Sequence, residues 1–140
     1  MTVDDCPACG GRWPRADHRI ADLGPAIAYL NEDQFFPGWT VLVLKRHAIE
    51  LFHLEPDERS RLIEVVSALA RGLAEAFGAV KMNYELLGNQ IPHIHWHIVP
   101  RLGDDPAPRV PAWVVQHAPR SLAAPELQAR LHTIREHLGG

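Results

Sequence analysis

The sequence predicts an α+β fold: an antiparallel sheet with a helix packed on one face and a second helix at the C terminus. Three observations carry this. The run His93-Ile94-His95-Trp96-His97-Ile98-Val99 alternates polar and apolar residues, the period of a half-buried strand. Between residues 56 and 78, apolar side chains return at three- and four-residue spacing, the period of an amphipathic helix. The other apolar segments are short and separated by turn residues, so hairpins are their simplest connections.

Residues 1–19 are polar, carry Cys6-Pro7-Ala8-Cys9-Gly10-Gly11 and Pro14, and read as an arm. Ala26-Ile27-Ala28-Tyr29-Leu30 is the first expected strand. Phe35-Phe36-Pro37-Gly38 supplies turn chemistry, and Trp39 to Leu44, dense in apolar and β-branched residues, reads as a second, buried strand closing a hairpin. Pro56 suits a first helical position, and Asp57 and Glu58 suit the positive end of the helix dipole. Leu62, Val65, Val66, Leu69, Leu73 and Phe77 then form a stripe that reads as core packing, and Gly78 offers a stop. Met82 to Leu87 reads as a short strand, Gly88-Asn89 as a turn, and His93 to Val99 as the last strand. Residues 103–119 are Pro-rich and irregular around Trp113-Val114-Val115. Leu127, Leu131, Ile134 and Leu138 keep helical spacing, so Leu122 to Leu138 is the expected second helix.

The chain of 140 residues is read as one domain, residues 1–140, with an arm (1–19), a core (20–101) and a C-terminal segment (102–140). A net charge of −3 supplies no general basic surface, which argues against nonspecific nucleic-acid binding. No apolar run approaches the roughly 20 residues of a membrane span. Asp4 and Asp5 stand where a secretory leader carries positive charge, and the expectation is a cytoplasmic protein with no membrane partner.

Two cysteines in one CxxC do not make a secreted disulfide framework. Followed by Gly10, the pair has the shape of a zinc knuckle, which needs two further ligands. Free thiols and a redox pair are the alternatives, although no strand-helix pattern of the thioredoxin kind follows.

On a strand, His93, His95 and His97 form a row whose outer Cα atoms stand about 13 Å apart. That is too long for three ligands on one ion and long enough to line a groove for a phosphate with a group on either side. Imidazole titrates near neutral pH, so one member can attack as a neutral nucleophile while its neighbours donate to phosphate oxygens. His95, with a histidine on each side, is the natural attacking group.

His-φ-His-φ-His-φ-φ, with φ apolar, resembles the signature of the histidine triad (HIT) nucleotide hydrolases and transferases, and Pro100-Arg101 is similar to the family's continuation. Asn83-Tyr84-Glu85-Leu86-Leu87-Gly88-Asn89-Gln90 resembles the loop that precedes the triad. Leu30-Asn31 with Phe36-Pro37-Gly38-Trp39-Thr40-Val41-Leu42-Val43 resembles the nucleoside-binding strands. The resemblance covers residues 20–101 and implies a HIT-like fold with about five antiparallel strands. It further implies a nucleotide hydrolase or nucleotidyl transferase cleaving at an α-phosphate, with a dinucleoside polyphosphate such as diadenosine tetraphosphate as the preferred substrate. A purine nucleoside phosphoramidase and a non-catalytic nucleotide-binding module are the other readings.

By the same resemblance, His95 forms a covalent nucleotidyl intermediate, His97 and Gln90 donate to the phosphate oxygens, and His93 orients the site. Asn31 takes the ribose, Asn83 lies beside the phosphates, and Trp39 approaches the nucleotide. Cys6, Cys9, His47 and His93 hold a structural zinc, with His18 as an alternative ligand; no organic cofactor is implied. The family resemblance also implies a homodimer. Trp113 is a candidate for closing over a ligand or a partner subunit. One departure stands out: Gln90 lies three residues before His93 where better-known branches have four, and Ile91 occupies a place that there holds Ser or Thr.

Overall fold

A computed structural model describes residues 2–139. Five strands, β1 (Arg19–Asp22), β2 (Ala26–Leu30), β3 (Thr40–Leu44), β4 (Lys81–Glu85) and β5 (His95–Arg101), form one antiparallel sheet in the order β1-β2-β3-β5-β4. Helix α1 (Pro56–Phe77) lies between β3 and β4 in the chain, and α2 (Ala124–Glu136) follows β5. The α+β reading holds.

The helix forms where its signals lie. Pro56 opens it, Glu55 and Glu58 close a reciprocal capping box, and Gly78 ends it in the left-handed conformation (φ 63°), which a glycine adopts without a Cβ clash. Leu62, Val66, Leu69, Ala70 and Leu73 bury the inner stripe against Leu42, Leu44 and Ile98 of the sheet, within one hydrophobic core. At about 1.5–3 kcal/mol per large buried side chain, this stripe is what holds helix to sheet.

β3 is buried along its whole length because it is covered on both faces: Leu42 and Leu44 look towards α1. Val41 and Val43 stand opposite His97 and His95 on the other face. Ile98 is fully buried on the helix side, and Trp96 packs against the same core, as the alternation requires. A one-residue slip in β5 would turn both histidines into that core.

Three departures from expectation stand out; smaller ones place β4 at Lys81–Glu85 and shorten the second helix to Ala124–Glu136. Arg19–Asp22, read as the end of the arm and the connection to the first strand, is a strand of its own; its register breaks between Arg19 and Ala21, and only Ile20 is buried, so it carries little periodic signal. His93 lies just before β5 instead of within it. Pro92 precedes it, and Ile94 bonds to Ala48 N-terminally and to Leu44 through its carbonyl. At the other end β5 continues past Val99 to Arg101. Pro100 is tolerated there because the β3 ladder has already ended at the Thr40–Ile98 pair, leaving no strand partner on that side to miss its N–H.

Beyond β5 the chain wraps as an irregular strap organised by Arg101. This guanidinium is 2% exposed and donates to Asp105, to Asn83 Oδ1 (2.8 Å) and to the carbonyls of Ala107 and Val110 (both 2.6 Å). Farther on, His117 stacks on Phe35 and pairs with Asp33 at 2.7 Å, pinning the strap to the β2–β3 connection. Among the described residues no helix is long and apolar enough to cross a membrane.

Candidate active site

β5 presents His95 and His97 on the face away from α1, and the arm and the strap bring an indole to each end of the pair. Ring centroids run Trp13–His95 4.9 Å, His95–His97 5.3 Å and His97–Trp113 4.9 Å, each edge to face. Below them is a cleft of ≈ 310 Å³ walled by Trp13, Asn31, Trp113 and the 87–91 loop.

Hydrogen bonds fix the tautomer of each imidazole. His95 Nδ1 lies 2.7 Å from the carbonyl of His93. A carbonyl only accepts, so Nδ1 carries the proton and Nε2 of neutral His95 keeps its lone pair. His97 is set the opposite way: the indole Nε1–H of Trp39, a donor only, gives to His97 Nδ1 at 3.0 Å, leaving the proton of the neutral ring on Nε2. Burial lowers the pKa of both rings, with the neighbouring histidine adding to it, and His97 falls to about 4. At neutral pH the site therefore holds one ring with a free nitrogen and, beside it, one with a donor.

His93 is turned the other way. Its Nε2 donates to the Leu44 carbonyl at 2.7 Å, which turns the Nδ1 lone pair away from the cleft towards Cys6 Sγ (3.4 Å), Cys9 Sγ (3.5 Å) and His47 Nδ1 (3.2 Å). Cys9 Sγ is also 3.4 Å from His47 Nδ1, and the four donor atoms lie within 4.8 Å of one another. Tetrahedral zinc would place N and N about 3.3 Å apart and N and S about 3.5 Å apart. The donor chemistry fits too, since burial and then the adjacent Cys6 sulfur raise the Cys9 thiol, a conflict that a bound cation removes. His47 arrives here because Ile94 N–H bonds to Ala48 O, laying the segment after β3 alongside His93.

The HIT domain family model matches residues 15–104 of the chain. The chain belongs to the HIT family. Among solved structures, a HIT protein from Sinorhizobium meliloti is 31% identical, with a TM-score of 0.79 over 86% of this chain and 88% of that one. A Zn-bound HIT family protein from Mycobacterium smegmatis shares the fold at 22% identity and a TM-score of 0.71, covering 98% and 95% of the two chains. The adenosine 5'-monophosphoramidase hnt1 of Schizosaccharomyces pombe is 18% identical over 62% of this chain and 66% of its own length.

Of the residues expected to serve this HIT site, His95, His97, Asn31 and Gln90 meet in the cleft, Gln90 exposed at its rim. Two do not reach it. Trp39 is 3% exposed and packs with Phe36, Val99 and Ala112, so it stands behind the cleft and supports two of its lining residues, His97 and Trp113. Asn83 gives its oxygen to Arg101 and faces a separate groove beside β4. His18 lies outside the four-donor cluster; its Nδ1 meets Asp17 at 2.9 Å. Trp13 lines the cleft although nothing in its local sequence signals this, for it reaches His95 only through the path of the arm.

Proposed function

We propose that this protein is a nucleotide hydrolase or nucleotidyl transferase working through a covalent nucleotidyl-His95 intermediate. The observation that carries it is the His95 Nδ1–H bond to the His93 carbonyl, which leaves Nε2 as a neutral, pre-aimed nucleophile. The Nε2 lone pair attacks the α-phosphorus while the bond from phosphorus to the leaving oxygen or nitrogen breaks, and the leaving group takes up a proton from solvent water. Water then attacks the same phosphorus, displaces the imidazole, and releases the nucleoside monophosphate. His97 Nε2–H and the Gln90 amide donate to the phosphate oxygens, and Asn31 receives the ribose. The indoles at both ends of the histidine pair favour a substrate with a planar group on each side of its phosphates, which suits a dinucleoside polyphosphate such as diadenosine tetraphosphate.

A second reading is hydrolysis of an adenosine phosphoramidate, favoured by the activity named for the fission-yeast relative. In either case Cys6, Cys9, His47 and His93 would hold zinc; the zinc-bound mycobacterial relative supports this. Four protein ligands complete a tetrahedral shell, so a zinc there cross-links the arm to the sheet. Reduced thiols held as ligands suit the cytoplasm. A homodimer is proposed through the outer strand β4, where Tyr84 is 49% exposed and Val80, just before the strand, 71% exposed.

The test is AMP release from diadenosine tetraphosphate and from an adenosine phosphoramidate, by wild type and His95→Ala side by side. Release by wild type that vanishes in a folded mutant is expected. A mutant retaining more than a few per cent of the rate would sink the covalent scheme.

A further inference from the structure

The arm has a peculiar attachment. Every backbone hydrogen bond of residues 2–13 among the described residues stays inside the arm, and so do the side-chain bonds of Thr2 and Arg12. The polar ties of this stretch to the sheet are those of Cys6 and Cys9 to His93 and His47. Trp13 is bound to that knuckle: its N–H donates to the carbonyl of Pro7, next to Cys6, at 3.2 Å. Its indole then stands at 4.9 Å from His95 and forms one wall of the cleft.

We infer that Trp13 is a ligand-binding residue whose placement depends on the metal cluster, so that the metal sets nucleotide affinity through the arm. This rests on the nucleotide reading of the cleft and adds to it a residue and a control. With the four donors drawn together, the Cys6–Cys9 turn is fixed and the indole is presented as a stacking wall for a flat base or leaving group. With the donors released, no polar contact among the described residues returns residues 2–13 to the sheet, and the wall is lost while His95, held by a backbone carbonyl, keeps its orientation.

The experiment is a cycle of four AMP titrations by calorimetry: wild type and Trp13→Ala, each zinc-loaded and chelator-treated. Zinc content per chain and helical circular dichroism are measured on every sample. Zinc-loaded Trp13→Ala is expected to keep its metal and bind AMP about tenfold more weakly, the scale of one lost aromatic stacking contact. Chelation is expected to weaken wild type by a similar factor and to add little in Trp13→Ala. Trp13→Phe, which restores a ring, is expected to recover most of the affinity. Cys9→Ser is expected to behave as chelated wild type.

A second readout needs no nucleotide. The His95 ring protons should move in the NMR spectrum on Trp13→Ala, and move to the same positions when wild type is chelated, as the indole leaves. Equal AMP affinity for Trp13→Ala and wild type would overturn the inference. So would additive losses in the cycle, an unmoved His95 signal on chelation, or global unfolding on chelation. If wild type binds no AMP while the His95 signal follows the metal, the nucleotide reading fails and the metal-held indole stands.

Discussion

Trp39 donates its indole N–H to Nδ1 of His97 across 3.0 Å, joining two residues 58 positions apart in the chain. One buried aromatic thus decides which nitrogen of a site imidazole carries the proton. Replacing it with phenylalanine keeps most of the packed ring and deletes the donor. Trp39→Phe is expected to lower turnover about 10- to 100-fold, the usual scale for losing an orienting partner. The unpaired Nδ1 should also cost about 1–3 kcal/mol in a urea titration. Unchanged turnover would show that His97 orientation does not depend on the indole.

The depressed pKa of His97 gives the pH dependence its sign. Its ordinary value is 6.5 and its value in the fold is about 4, so the unfolded chain takes up the proton first as pH falls. Stability from this group is fully present above pH 6.5 and declines as the pH drops towards 4, by at most about 3 kcal/mol. His95 is shifted in the same direction by burial. Urea midpoints should therefore be higher at pH 7.5 than at pH 5, with the difference reduced in His97→Asn.

Arg101 and Asp105 form an ion pair whose side chains are 2% and 1% exposed. Arg101→Met leaves a buried carboxylate without its partner and frees the carbonyls of Ala107 and Val110. The expected cost is about 3–5 kcal/mol by chemical denaturation. Arg101→Met with Asp105→Asn should recover part of it. Faster proteolysis between residues 102 and 111 would accompany the single change.

Zinc analysis of the purified protein is expected to give one ion per chain, falling to none in Cys6→Ser. Because the four donors complete a coordination shell, removing the ion should lower Tm and raise KM while kcat persists in the folded fraction. A kcat that collapsed with the metal and returned on its addition would assign it to the chemistry instead.

Sedimentation should give twice the chain mass if β4 pairs with its copy. Tyr84→Lys and Val80→Glu together would then yield a monomer, since edge charges oppose strand pairing.

The sheet, α1, the shared face of His95 and His97 and the gathering of Cys6 with Cys9 were legible because each rests on a period or a spacing: two for the triad, three and four for the stripe from Leu62 to Leu73, and CxxC for the knuckle. β1 was not legible, since four residues with one buried side chain carry no period. Nor was the parting of His93 from its neighbours, which is set by Pro92 and by Ile94 bonding to Ala48. Likeness of sequence puts Asn83 beside the phosphates and Trp39 near the nucleotide. In this fold Arg101 claims one and the core beneath His97 claims the other, and both are long-range contacts that no local pattern records.

The orienting group of His95 is a main-chain carbonyl, whereas many hydrolytic sites use a carboxylate side chain for that purpose. Every residue type at position 93 supplies that oxygen, so no single codon change can delete it. A variant library across the site should therefore show two kinds of sensitivity. Position 95 would be intolerant of any exchange. Position 93 would lose metal with most substitutions yet retain a remnant of turnover, because the main-chain acceptor that orients the ring at position 95 is kept by whatever residue replaces it.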